Sequence, residues 1–294
     1  MDAVSRIERA LSAALARADE AGAPPRLGKA MGHAVFPRGA RVRPRLCLAV
    51  SAACGEDDPA AADAAAAAIE LLHCASLVHD DLPCFDNAEV RRGRPSVHRA
   101  FGEPLAVLAG DALIVLAFQT VARGAAASPR RLGPLLEVVG AAVGAPAGIA
   151  AGQAWECEPP DTVDLGHYQR SKTGILFAAA AMAGAVSAGA EGGPWRLLGE
   201  RLGEAYQVAD DIRDAAAEPE EMGKPAGRDL ALGRPSAATA FGVSGAVARL
   251  EALAAEAMAA VPPCRGANEL RGLIRSEAKR LMPASLAAAS VAAA

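Results

Sequence analysis

The chain has 294 residues and a mass of 29.7 kDa, enough for one large domain or two small ones. Hydrophobic residues make up 52% of the chain and aromatic residues only 3%, because alanine dominates. Alanine is the best helix former, so the composition predicts an all-α protein. A net charge of -4 and an isoelectric point near 5.8 argue against nucleic acid as a partner, since nucleic-acid-binding proteins carry basic surfaces.

Cysteine spacing and the first residues of the chain indicate a cytoplasmic protein. The six cysteines form no Cys-x-x-Cys pair and are interpreted as small buried hydrophobes in a reducing compartment. The first residues form a charged amphipathic segment, which differs from a secretory signal. The apolar stretches from Val138 to Trp155 and from Gly174 to Ala190 consist mainly of Ala and Gly, so we expect buried core helices and no transmembrane segment.

Predicted helices fill most of the chain, and turns rich in Gly and Pro separate them. No long polar linker divides the sequence, which predicts a single domain over residues 1–294. The helices are predicted at roughly 2–20, 27–37, 42–54, 59–79, 104–124, 130–152, 164–190, 195–213, 234–243, 245–260 and 266–290.

Two aspartate clusters are the most informative feature of the sequence. Each follows an apolar stretch, where like charges packed together need a counter-ion. Carboxylates with few His or Cys residues nearby are typical of magnesium bound between protein and substrate phosphates. A single Asp-Asp pair is most often a solvated helix end, but two copies in apolar settings predict an enzyme that ionises a diphosphate ester. The members are Asp80, Asp81 and Asp86 in the first cluster and Asp210, Asp211 and Asp214 in the second.

Helical periodicity places further polar residues on the same faces as these aspartates. His73 and Asp80 lie at positions i and i+7 of one predicted helix and therefore share a face. Asp210 and Asp214 are i, i+4 neighbours on another, with Gln207 one turn earlier. A common cavity between the two helices of a bundle is the expected geometry.

Four groups of cations flank Gly or Pro turns near the acidic motifs. The guanidinium group of Arg matches phosphate oxygens bidentately, and Lys supplies a point charge. One such group alone is ordinary surface charge, but four together predict two diphosphate sites, one with metal and cations and one with cations alone. The groups are Arg38, Arg41 and Arg43; Arg91, Arg92 and Arg94; Lys172; and Lys224 with Arg228.

The order of these motifs resembles that of the trans-polyprenyl diphosphate synthases, most closely the geranylgeranyl diphosphate synthases of bacterial carotenoid pathways. The similarity covers nearly the whole chain and includes Leu-Ala-Gly-Asp-Ala-Leu at 108–113, Ala-Gly-Gln at 151–153 and Lys-Thr-Gly at 172–174. The resemblance implies an all-α bundle around a deep central cavity, usually as a homodimer. It also implies Mg²⁺-dependent head-to-tail condensation of isopentenyl diphosphate with an allylic diphosphate (dimethylallyl, geranyl or farnesyl) to make geranylgeranyl diphosphate.

The resemblance implies a role for each residue that matches a family motif. The magnesium ligands, for three expected ions, are Asp80, Asp86 and Asp210. The other members of the catalytic set are Asp81, Asp211, Asp214 and Lys172. Contacts to the allylic diphosphate are expected from Arg91, Lys172, Thr173, Gln207 and Lys224, and contacts to isopentenyl diphosphate from Arg43, His73 and Arg92. Arg234 is a further substrate-binding candidate, where many relatives carry Lys.

Residues about one turn before Asp80 are expected to set product length. The resemblance implies that shorter-product relatives carry an aromatic residue at the position of Ala75, so Ala75 and Ser76 predict an open floor and a twenty-carbon product. A farnesyl diphosphate synthase is the alternative. Ala40 departs from the family, which carries Lys there; losing one charge-assisted contact is expected to cost about 1.5–3 kcal/mol unless Arg38 replaces it.

Two other classes of protein stay open at this point. A terpene cyclase has a similar first motif, but its second cluster is usually an Asn/Ser/Glu pattern. A non-catalytic regulatory subunit of a prenyl synthase typically loses one or both clusters, and only Ala40 favours that alternative. Metal-dependent product from the purified chain alone would separate both from a synthase. His79, next to the first Asp pair, is interpreted as a structural residue and not as a general base.

Overall fold

The computed structural model describes residues 2–18, 20, 22–36, 39–159, 173–216 and 237–281. Helices form almost all of the regular structure in these ranges, which confirms the all-α prediction. The helices are α1 (Ala3–Ala18), α2 (Pro25–Val35), α3 (Val42–Cys54), α4 (Pro59–Asp80), α5 (Val97–Phe101), α6 (Glu103–Gly124), α7 (Pro129–Val143), α8 (Ile149–Ala154), α9 (Ile175–Ser187), α10 (Arg196–Ala216), α11 (Ala237–Ala259) and α12 (Ala267–Leu281). Two short antiparallel strands, β1 (Val90–Arg91) and β2 (Arg94–Pro95), lie between α4 and α5.

Helix α4 is the central helix of the bundle. The Asp58 carboxylate accepts a hydrogen bond from the Ala61 amide at 3.1 Å, and Pro59 lies at the start of the helix, where no amide hydrogen is needed. Its many alanines leave little side-chain volume, so α4 packs closely against α6 and also contacts α3 and α9. The helix ends at Asp80, before Pro83, which places the first acidic cluster at the C-terminal end of a buried helix.

Helix α10 carries the second acidic cluster and packs against α9 and α11. Glycine permits a close approach of α9 and α10, because a Cβ at Gly199 would lie 2.3 Å from the carbonyl oxygen of Phe177. As a result the rings of Phe177 on α9 and Tyr206 on α10 lie side by side, with centroids 5.4 Å apart. These two rings form one wall near the predicted site.

Some predicted elements differ from the observed ones. The helix predicted over 130–152 is two helices, α7 and α8, because Pro146 has no amide hydrogen for a continuous helix and its ring clashes with the preceding turn. The boundary predicted near 244 is a kink at Gly242, with φ 68°, inside α11. The strands β1 and β2 and the five-residue helix α5 were not predicted, since such short elements show no clear periodicity. Of the helix predicted over 164–190, the structure describes residues 173–190, and α9 lies within that range.

In the part of the chain that the structure describes, two helices, α4 and α6, are long and apolar enough to cross a membrane by length and composition. The most apolar stretch of α4 is 78% buried within the protein, so α4 is a core helix. The corresponding stretch of α6 is only 39% buried, and Val107, Leu108 and Val115 project from its exposed face. Helix α9 has 13 residues and is almost wholly buried. It lies within the apolar stretch from Gly174 to Ala190 that was predicted to form a buried core helix.

Candidate functional site

A polar cavity of about 590 Å³ lies between α3, α4 and α10, next to the hairpin formed by β1 and β2. Seven of the site residues predicted from the sequence line it: Arg43, His73, Arg91, Arg92, Thr173, Gln207 and Asp210. Arg41, a member of the first predicted cation group, also lines it, as do Glu70 and Tyr206, which were not predicted to bind substrate. Ala40 borders the same cavity. The fold therefore brings residues from distant parts of the sequence to one cavity.

Arg43 is held between two aromatic rings. Its guanidinium carbon lies 4.5 Å from the ring centroid of Phe177 and 5.8 Å from that of Tyr206, which is cation–π geometry. Burial lowers the pKa of Arg43, and the negative charge of Glu70 opposes that effect. The buried Nε has no hydrogen-bond partner among the described residues, so one donor of Arg43 is left for a ligand.

Arg92 supplies a second open donor. Its Nη1 is buried without a hydrogen-bond partner in the described part of the chain, while its Nη2 lies 3.8 Å from Oε1 of Glu70. Gly39 leaves room for this guanidinium, because a Cβ there would lie 2.9 Å from Nη2 of Arg92. A buried donor without a partner is costly, and charged donors bind phosphate oxygens strongly. The open donors of Arg43 and Arg92 therefore fit an anionic, phosphate-containing ligand.

His73 lies on α4, one helical turn after Glu70, and contributes to the same cavity. Burial and the nearby charges of Arg43 and Arg92 lower the pKa of His73 well below its ordinary value. The imidazole is therefore neutral at pH 7. A neutral imidazole has one N–H group that can donate to a phosphate oxygen.

The first acidic cluster divides into two parts. Asp81 is buried and accepts hydrogen bonds from Arg91, whose Nε lies 3.1 Å from Oδ1. Burial raises the pKa of Asp81, and the hydrogen bond from Arg91 opposes that rise. Asp80 and Asp86 are joined through the backbone, since the Asp86 amide donates to the Asp80 carbonyl at 3.0 Å, and the charges of both reach Arg91. Asp81 thus anchors Arg91 beside the cavity.

The second acidic cluster is connected to α9 by a chain of hydrogen bonds. The Thr173 hydroxyl donates to Oε1 of Gln207 at 3.1 Å, and Nε2 of Gln207 donates to Oδ1 of Asp211 at 3.0 Å. This chain fixes the orientation of the Gln207 amide. Asp210 lines the cavity and pairs with Arg213 at 2.8 Å.

Several predicted site residues lie outside the described residues: Lys172, Lys224 and Arg234, together with Arg38 and Arg228. Asp214 lies in α10, but its side chain is outside the described part of the structure.

The chain-length candidates Ala75 and Ser76 do not line this cavity. Ala75 is buried in the core, and the Ser76 hydroxyl donates to the His73 carbonyl at 2.9 Å. Nε2 of His79 lies 3.2 Å from the Val107 carbonyl oxygen and therefore connects α4 with α6. That contact is consistent with the structural role predicted for His79.

The acidic residues suit a metal that the substrate helps to bind. Among the described residues, no three His, Cys, Asp or Glu side chains converge into a complete metal site. Magnesium does not require one, because it binds through one or two carboxylates and takes its other ligands from phosphate and water. Asp210 lines the cavity, whereas Asp80 at the end of α4 and Asp86 just after it are not among its lining residues. The carboxylates of all three are oxygen ligands of this kind. The donor set therefore fits Mg²⁺ bound together with a diphosphate.

Glu70, Phe177 and Tyr206 are the site residues that sequence analysis did not identify. Glu70 had a detectable signal, because it is a charged residue between the apolar residues Ile69 and Leu71. Phe177 and Tyr206 had a weaker signal. Their proximity to Arg43 depends on how α9 and α10 pack, which spacing alone does not indicate.

The fold and the site define a class: an all-α protein whose cavity combines acidic clusters with open arginine donors. The polyprenyl synthetase family model matches residues 24–261. The geranylgeranyl diphosphate synthase of Cereibacter sphaeroides is 52% identical over 283 residues, 96% of this chain and 98% of the relative. The corresponding protein of Rhodobacter capsulatus is 50% identical over 282 residues, 95% of this chain and 97% of the relative.

Solved structures agree with the sequence comparisons. The geranyltransferase of Helicobacter pylori, complexed with magnesium and isoprenyl diphosphate, superposes with a TM-score of 0.76 at 28% identity. The match covers 94% of this chain and 97% of that structure. The chain belongs to the polyprenyl synthetase family.

Proposed function

We propose that this protein is a magnesium-dependent geranylgeranyl diphosphate synthase, which condenses isopentenyl diphosphate with dimethylallyl, geranyl or farnesyl diphosphate. The observation that carries the proposal is the cavity that Arg43, Arg92 and Asp210 line together, where each arginine keeps a buried N–H donor without a partner among the described residues. Two bacterial relatives named geranylgeranyl diphosphate synthase, at 52% and 50% identity over nearly the full length, support the twenty-carbon product.

Two substrates would occupy the site in different ways. Isopentenyl diphosphate would bind to the N–H donors of Arg43, His73 and Arg92, which line one cavity. The allylic diphosphate would bind beside Asp80, Asp86 and Asp210, with Arg91, Thr173, Gln207, Lys172, Lys224 and Arg234 as its protein contacts. Because the site would hold both substrates in line, bond formation between them becomes effectively unimolecular. This lowers the entropic part of the activation barrier.

The reaction would begin when the allylic C–O bond breaks and its electrons leave with the diphosphate. Magnesium, bound by Asp80, Asp86 and Asp210 as three ions, would supply the positive charge that stabilises this leaving group. Arg91, which Asp81 anchors, adds a fixed positive charge on the same side. The double bond of isopentenyl diphosphate then attacks the allylic cation, and loss of a proton restores an allylic diphosphate. Asp211 and Asp214 complete the catalytic set, and Asp211 does so by fixing Gln207.

Product length would be limited by the residues one turn before Asp80. Ala75 and Ser76 have small side chains, so neither residue would itself block a tail that grew along that side of α4. We infer that a twenty-carbon chain fits where an aromatic residue at position 75 would stop growth at fifteen carbons.

We infer that the protein is a homodimer in which α6 faces the partner. Leu108 and Val115 are 53% and 55% exposed and form a short apolar stripe on one face of α6, which the exposed Asp111 interrupts. Exposed apolar side chains on one face favour association. A second copy of the chain is the proposed occupant, since a symmetric dimer buries the same patch on both subunits.

We also propose that the protein acts in the cytoplasm, within the carotenoid branch of isoprenoid biosynthesis. Six free cysteines suit a reducing compartment, where disulfides do not persist. The carotenoid role follows from the resemblance of the motifs to the synthases of such pathways.

The proposal is tested by comparing three Asp→Asn variants for incorporation of radiolabelled isopentenyl diphosphate. Asp80→Asn and Asp210→Asn are expected to lower kcat by about 100-fold or more, because charge stabilisation at the leaving group is lost. Asp57→Asn is the control, since Asp57 pairs with Arg131 away from the cavity and should keep wild-type activity. Wild-type rates in both cluster variants would refute the proposed site.

A further inference from the structure

Glu70 is a buried carboxylate to which the proposed reaction assigns no role. It lies on α4, is only 2% exposed and borders the cavity. One of its oxygens, Oε1, accepts a hydrogen bond from Nη1 of Arg41 at 2.6 Å and lies 3.8 Å from Nη2 of Arg92. Its charge also acts on Arg43. A single carboxylate oxygen therefore hydrogen-bonds Arg41 and lies at ion-pair distance from Arg92, and the Glu70 charge acts on a third arginine.

The two arginines in contact with Glu70 have unusual backbones. Arg41 has φ 52° and Arg92 has φ 54°, and Asn87 is the other non-glycine residue with positive φ in the described ranges. Large side chains rarely adopt this left-handed conformation, and it persists only where surrounding contacts enforce it. The hydrogen bond from Arg41 to Glu70 is one such contact, because it fixes the Arg41 side chain to a buried helix, and Arg92 lies at ion-pair distance from the same oxygen.

Arg41 and Arg92 use their donors differently. Each guanidinium nitrogen of Arg41 has a partner: its Nε donates to Glu8 at 2.9 Å, its Nη2 donates to the Val35 carbonyl at 3.0 Å, and its Nη1 donates to Glu70. Arg92 keeps Nη1 open, and Gly39 packs against its guanidinium on another side. Arg41 is thus a structural residue, whereas Arg92 keeps one N–H donor, Nη1, that can bind a ligand.

We propose that Glu70 is a positioning residue for the isopentenyl diphosphate site, which holds Arg92 and, through Arg41, the turn before α3 so that open arginine donors face the diphosphate. This inference rests on the proposed function. Glu70 contacts no reacting atom in this arrangement. Glu70 is therefore expected to affect the affinity for isopentenyl diphosphate, the substrate that binds without metal.

The test is the steady-state kinetics of Glu70→Gln, which keeps the shape of the side chain and removes its charge. Loss of a charge-assisted anchor should raise KM for isopentenyl diphosphate by about tenfold, with kcat and KM for farnesyl diphosphate changed by less than about twofold. Calorimetric titration of isopentenyl diphosphate without metal should show the same loss of affinity. An unchanged KM and an unchanged affinity in the folded variant would overturn the proposal.

Two further variants separate positioning from simple charge neutralisation. If Glu70 only neutralised Arg41, the double variant Glu70→Gln/Arg41→Gln would regain the wild-type KM. We expect its KM to stay raised, and recovery would overturn the proposal.

Gly39→Ala displaces the Arg92 guanidinium without altering Glu70, and we expect it to raise the KM for isopentenyl diphosphate. A wild-type KM in that variant counts against the proposal even if Glu70→Gln does not fold.

Glu277→Gln is the matched control. Glu277 accepts a hydrogen bond from Arg45 at 2.6 Å, the same length as the Arg41–Glu70 contact, and it does not border the cavity. Its KM for isopentenyl diphosphate should equal that of the wild type, and an equal rise in this variant would overturn the assignment to Glu70. Absence of any prenyl product from the wild-type protein would refute the proposed function instead, while the calorimetric comparison still tests Glu70.

Discussion

A few charged side chains border the cavity, and they shift the pKa values of their neighbours. Arg43 and Arg92 lower the pKa of His73, while Glu70 favours the charged form of Arg43. Buried cations are tolerated here because aromatic rings and carboxylates surround them. The result is a set of donors that is already oriented before a diphosphate binds.

The lowered pKa of His73 predicts how stability depends on pH. His73 stays neutral in the folded protein, whereas in the unfolded chain it gains a proton near its ordinary pKa of 6.5. The unfolded state therefore binds more protons below pH 6.5, and stability falls as pH falls, by at most about 1.4 kcal/mol per pH unit. His73→Asn should show a shallower fall in the free energy of unfolding from pH 6.5 to 5.5, measured by urea denaturation. Parallel profiles for the two proteins would contradict this assignment.

Ala75→Phe is predicted to shift the main product from geranylgeranyl to farnesyl diphosphate. A phenyl ring about one turn before Asp80 would occupy the space into which the tail grows. Product length is measured by chromatography after hydrolysis of the diphosphate. Because Ala75 is buried and overpacking costs about 1–3 kcal/mol, the melting temperature of the variant must be followed in parallel. An unchanged product from a folded variant would show that the floor lies elsewhere.

Close helix contacts position the second acidic cluster. Gly199 lies where α10 meets α9, and a Cβ there would also lie 2.4 Å from the Cα of Ala178. Gly199→Ala should therefore separate the two helices, lower the free energy of unfolding by about 1–3 kcal/mol and reduce activity, since α10 carries Asp210. Thermal denaturation and product assays measure both effects.

Gly272→Ala is the matched control for that prediction. Gly272 lies within α12, and a Cβ there would meet nothing within 4 Å. Replacing a helical glycine by alanine at an open position should stabilise the protein by about 0.5–1 kcal/mol. If both substitutions destabilised the protein equally, the loss at Gly199 could not be attributed to the close packing of α9 against α10.

Elements with strong local signals were predictable from the sequence, and contacts between elements were not. Helix α3 has the predicted bounds, and α4 differs by one residue, because alanine-rich stretches with Gly or Pro at their ends mark a helix clearly. Arg43, His73 and Gln207 were predictable because they lie within recognisable motifs. The Arg41–Glu70 contact was not, since it joins residues 29 positions apart whose proximity depends on the packing of α3 against α4.

The exposed face of α6 predicts the oligomeric state of the whole molecule. The wild-type protein should sediment as a dimer, at about twice 29.7 kDa. The double variant Leu108→Lys/Val115→Lys places charges on the apolar stripe and should sediment as a monomer. Leu197→Lys, a substitution at an exposed leucine on α10, should leave the dimer intact. Wild-type sedimentation of the double variant would place the interface on another face.

The central claim is that this single chain makes a twenty-carbon allylic diphosphate. The most direct measurement is product analysis of the purified protein with radiolabelled isopentenyl diphosphate and Mg²⁺, with dimethylallyl and farnesyl diphosphate as separate starters. Geranylgeranyl diphosphate from both starters, abolished when EDTA removes the metal, is the predicted result. A farnesyl product from dimethylallyl diphosphate with no extension of farnesyl diphosphate, or no product from a folded, magnesium-loaded sample, would contradict the claim.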